Sequence, residues 1–101
     1  EKVDASTDVG ELFARYFGRP VPLTELIIFA RHFRSLLHAG VPVIRALRGL
    51  SENAQNDRLR KALLDIAINL ESGSALAESM NQHRSVFPPL FIHMVRVGEQ
   101  S

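Results

Sequence analysis

From Leu26 to Gly40 the apolar and small residues recur at steps of three and four, through Phe29, Ala30, Phe33, Leu36 and Leu37. That interval stacks side chains on one face of an α-helix, whereas a strand needs alternation. Thr24, following Pro22, is the expected N-cap of this helix. At its far end, Gly40-Val41-Pro42 joins a residue suited to a left-handed helix stop with a proline suited to a first helical turn. The next helix therefore has to begin almost at once, and the connection has to be tight.

The same reading continues on both sides. Leu12, Phe13, Tyr16 and Phe17 form a short first helix after Ser6 or Thr7, stopped by Gly18 and Pro20. After Pro42, Val43, Ala46, Leu47, Leu50 and Ala54 mark a third helix that ends near Gln55 and Asn56, with Asp57 capping the fourth. Leu59, Ala62, Leu63, Ile66, Ala67 and Leu70 line that fourth helix, and Leu64 and Ile68 widen its stripe for a second neighbour. Gly73 ends it, Ser74 is the expected cap of a short fifth helix through Leu76, Ala77 and Met80, and Phe87-Pro88-Pro89 makes a rigid turn. A sixth helix runs through Leu90, Phe91, Met94, Val95 and Val97 toward Gly98, its apolar residues spread over more than one side as an interface would have them. No segment alternates as a strand would. The expectation is an all-α fold, a compact bundle of about six antiparallel helices, with residues 1–22 an N-terminal segment and 23–101 the bundle.

Composition narrows the function classes. Twelve Lys and Arg stand against eleven Asp and Glu in 101 residues, a balance that favours neither a nucleic-acid binder nor an acidic tail. Residues 31–61 nevertheless hold Arg31, Arg34, Arg45, Arg48, Arg58, Arg60 and Lys61 against only Glu52 and Asp57, a set read first as the solvated side of helices two to four and second as a basic docking face. The chain has no cysteine, which removes disulfide and thiolate-metal chemistry. No window approaches the roughly 20 apolar residues of a membrane span, so this stretch is expected to be water-soluble. A start at Glu1 and an end just after Gly98-Glu99-Gln100 suggest a piece of a longer protein.

Catalytic chemistry finds no foothold in the spacing. His32 and His38 share a helix but are six apart, where two ligands on one face need three or four. Together with His83 and His93 they are read as surface or half-buried side chains, and no metal or other cofactor is expected. The carboxylates are scattered singly, no serine sits in a Gly-x-Ser-x-Gly turn, and the glycines form no phosphate loop. No catalytic residue is assigned, and the chain is expected not to be an enzyme.

Several fragments taken in order carry a resemblance: Phe29-Ala30-Arg31; Leu36 to Pro42 with Ala46-Leu47; Leu70 to Glu78; Val86-Phe87-Pro88-Pro89; and Gly98-Glu99. Over residues 23–101 they resemble the repeat domain of the type II secretion system F family, the inner-membrane platform proteins of type II secretion and type IV pilus machines. Gly40, Pro42, Gly73, Phe87, Pro88 and Gly98 are its architectural positions here. The resemblance implies a first cytoplasmic domain of a membrane-embedded, non-enzymatic protein. It implies partners as well: a cytoplasmic assembly ATPase, other inner-membrane assembly proteins, pilin-like subunits and further copies of itself. Arg45, Arg48, Arg96 and Glu99 are the candidate partner-binding residues. Members commonly carry an acidic residue where this chain has Arg45, and a Gln where it has His32, so a cation site built on position 45 and Glu99 is not carried over. The alternative from a different class is a free-standing nucleic-acid-binding helical module using the same arginines, whose phosphate contacts would weaken steeply with salt.

Overall fold

A computed structural model describes residues 20–100, and all regular structure among them is helical. Helix α1 spans Leu23–His38, α2 Val43–Asn53, α3 Asp57–Glu71, α4 Leu76–Asn81 and α5 Pro89–Gln100. The helix expected over Leu12–Phe17 lies outside the described residues. No helix among those described is long and apolar enough to cross a membrane.

Both glycine stops are built as expected. Gly40 (φ 92°) and Gly73 (φ 102°) take the left-handed backbone that side-chain-bearing residues avoid. At the first stop the Val41 amide donates to the Leu36 carbonyl and the Gly40 amide to Leu37; at the second, Ser74 donates to Asn69 and Gly73 to Leu70, all at 3.0 Å. This paired reversal satisfies carbonyls that a helix end would otherwise leave unmet. Pro42 sits just before α2 rather than in its first turn, and its carbonyl accepts from Ala46 at 2.9 Å.

Three further starts differ from expectation. Helix α1 begins ahead of Thr24: extended Pro22 precedes it, and the Pro22 carbonyl takes the amides of Glu25 and Leu26. Asn56, not Asp57, caps α3, because the chain leaves α2 at Asn53 and so presents Asn56 Oδ1 to the Leu59 amide at 3.0 Å. Asp57 is instead the first helical residue and pairs with Arg60 one turn on. Ser74 does not cap α4, whose preceding residue is Ala75, with no side-chain acceptor to offer.

Helix α3 packs against both α2 and α4, α1 packs on α2, and α5 packs on α4. Leu47, Leu63, Ile66, Ala67, Met80 and Phe87 are fully buried. Each large one contributes about 1.5–3 kcal/mol by leaving water. Phe29 and Phe33 join this core, while Leu36, Leu37 and Leu70 lie partly buried at its edge. Leu64 and Ile68 are exposed, at 39% and 53%, because α3 has its neighbours on other sides. Polar ties support the packing: the Asn56 amide donates to Glu25 Oε2, and Asn69 Nδ2 donates to the buried Ser79 hydroxyl at 2.8 Å, joining α3 to α4.

Candidate functional site

Arg45 and Arg48 stand one turn apart on α2, both exposed, because Ala46 and Leu47 turn the opposite side of that helix into the core. Arg48 Nη2 reaches Glu71 Oε2 at the end of α3, 2.6 Å away, with both side chains about half exposed (45% and 49%). In that much water the pair contributes about 0–1 kcal/mol, so its effect on stability is small. Arg45 has no ion pair among the described residues.

Arg96 and Glu99 are likewise one turn apart, on the last turns of α5. Glu99 is engaged inside the domain: Oε2 accepts from the Leu76 amide at 2.6 Å and Oε1 from the Ala77 amide at 3.0 Å. The first turn of α4, which Ala75 cannot cap, is thus capped by a carboxylate more than twenty residues away in sequence, and the helix dipole favours that charge. Spacing alone carried no signal for this contact. Val43, Leu70 and Glu99 border one cleft of about 460 Å³, so the start of α2 and the ends of α3 and α5 meet at one end of the bundle.

Of the architectural positions, Gly40 and Gly73 make the two stops and Phe87 is fully buried. Pro88 leads into α5, its carbonyl accepting from Ile92 at 3.1 Å. Gly98 lies inside α5, and no described atom beyond its own stretch of helix stands within 4 Å of where its Cβ would be.

The basic middle of the chain is dispersed rather than gathered. Arg48 and Arg60 are paired with Glu71 and Asp57, and Arg31 and Arg34 project from α1 on a different element from Arg45. The histidines do not converge either. His32, His38 and His93 are exposed, and half-buried His83 holds Asp65 through Nε2 at 2.7 Å. Ser79 lies near that pair, but its fully buried hydroxyl is bonded to Asn69, so the cluster is a structural tie between α3 and α4. Among the described residues no group of three His, Asp or Glu side chains is placed to hold a metal ion.

Comparison with known proteins matches residues 29–101 to the family described as type II secretion system (T2SS), protein F. The chain is 33% identical over 79 residues to the type IV pilus assembly protein PilC of Thermus thermophilus, covering 78% of this chain and 19% of that protein. It is 30% identical over 84 residues to PilC of Pseudomonas aeruginosa, covering 83% and 22%. It is also 29% identical over 85 residues to the type II secretion system protein F of Vibrio cholerae, covering 84% and 21%. The chain thus spans about a fifth of the length of these curated relatives.

Proposed function

Because the chain belongs to the type II secretion system protein F family, we propose that it is a non-catalytic adaptor domain on the cytoplasmic side of an inner-membrane platform protein. In that role it passes conformational change from an assembly ATPase to the insertion or extraction of pilin or pseudopilin subunits. The observation that carries this reading is the continuous match over residues 29–101, shared by relatives named for type IV pilus assembly and for type II secretion.

Arg45 and Arg48 are the partner contacts of this reading, and Arg96 and Glu99 are its further candidates. Other inner-membrane assembly proteins and further copies of the domain are the additional partners. Charge reversal at Arg45 and Arg48, both exposed, tests it in cells carrying the full-length protein at native level. Pilus assembly or secretion should fall with protein abundance unchanged. Assembly equal to that of the native strain would reject the docking role of these arginines.

A further inference from the structure

Along one side of the bundle α1 and α5 do not close on each other. The rings of Phe29, Phe87 and Phe91 stand between them, with the Phe29 and Phe91 centroids 6.4 Å apart and those of Phe87 and Phe91 5.5 Å apart. This aromatic wedge leaves two adjoining apolar hollows, of about 590 and 660 Å³, which run along α1 from Leu23 to His38. Large side chains on their walls face water: Leu23 is 66% exposed, Leu90 69% and Met94 65%. Apolar surface of that extent in one trough is unusual on a chain that meets nothing.

Two further observations point to what fills the trough. Its α1 rim carries Arg31 and Arg34, with His38 at the far end, and among the described residues no acidic side chain lines either hollow. Neither arginine is ion-paired among the described residues. The far hollow is also bordered by exposed Gly98, where no described atom beyond its own stretch of helix stands within 4 Å of the position a Cβ would take. A glycine at this position leaves room for a backbone to approach closely. Helix α1 has 16 residues, which gives the trough a length of about 24 Å. A concave apolar trough of helical length with positive charge on one rim suits a convex rod, not a flat lipid surface that would leave its floor uncovered.

We propose that the groove between α1 and α5 docks an amphipathic helix of a partner protein, its apolar face flanked by acidic residues that meet Arg31 and Arg34. This deepens the adaptor reading and rests on it for the existence of a partner. Arg45 and Arg48 lie outside the groove, so failure there and failure here are distinguishable.

The test uses the full chain and a fluorescent synthetic peptide of about 18 residues, with leucines on one helical face and glutamates along one flank. A matched peptide carries lysines in place of the glutamates. The native chain should bind the acidic peptide saturably, and R31E/R34E should weaken that binding about tenfold while improving binding of the lysine peptide. Gly98→Leu, which fills the far hollow, should weaken both peptides. All three positions are exposed, and circular dichroism should show the variants as folded as the native chain. Absence of saturable binding, or equal affinity for both peptides in native and reversed chains, would overturn the proposal. So would a native chain that self-associates in sedimentation and is separated by Gly98→Leu, which would make the occupant a second copy. Arginine-dependent binding to phosphatidylglycerol vesicles that the acidic peptide does not displace would assign the groove to lipid and overturn it as well.

Discussion

Replacing Glu99 by alanine should unfasten α5 from α4. The carboxylate takes one amide on each oxygen, Leu76 at 2.6 Å and Ala77 at 3.0 Å, at a helix start that has no cap of its own. A single side-chain cap contributes about 1 kcal/mol, and hydrogen bonds to a charged group about 1.5–3 kcal/mol when buried. Glu99 lies at the exposed end of α5, so the lower figures apply and the two bonds together amount to about 2 kcal/mol. For a domain of this size that lowers the unfolding midpoint by about 8–16 °C. Glu99→Gln keeps one acceptor oxygen and loses the charge, so it should fall about halfway between. Urea and thermal unfolding followed by circular dichroism measure both, and hydrogen exchange should show faster opening at the Leu76 and Ala77 amides. If Glu99→Ala unfolds within about 0.5 kcal/mol of the native chain, or those amides keep their protection, the clamp contributes nothing and this reasoning fails.

Phe87→Ala, at a fully buried ring packed on Phe29 and Phe91, should cost about 3–5 kcal/mol in urea unfolding and leave a loosely packed α5. Gly73→Ala should cost about 1–2 kcal/mol from the left-handed backbone alone, because open space surrounds the added methyl and relieves none of that strain. Asn69→Ala leaves the buried Ser79 hydroxyl without its donor and should cost about 1–3 kcal/mol; a second change of Ser79 to alanine should recover part of it in a double-mutant cycle.

The helices were legible wherever local rules suffice. The step of Leu26, Phe29 and Phe33, and of Leu59, Leu63 and Ile66, requires no knowledge of neighbours, and Gly40 and Gly73 end helices by backbone conformation alone. Family membership was legible in the order of the motifs. Helix starts were less so, because Asn56 and Asp57 are both good caps and the choice depends on where α2 releases the chain. The Asn56 amide is in turn held by Glu25, 31 residues earlier. The Glu99 clamp was hidden for the same reason: its partners are close only after α4 and α5 have docked. Stripe width misled at Leu64 and Ile68, since periodicity shows which side is apolar but not whether a neighbour covers it. On α5 the spread of Leu90, Met94 and Val97 did indicate an apolar surface, and all three are exposed. The opposing α1 wall was indistinguishable from core by spacing.

The central claim, a helical adaptor that binds and does not catalyse, is tested most directly by calorimetric titration of the purified domain with the assembly ATPase of its own machine. The account predicts saturable binding, weakened about tenfold by reversing Arg45 and Arg48 together, in a domain that stays folded. An ATPase that does not bind, or that binds the reversed domain as tightly as the native one, would contradict it.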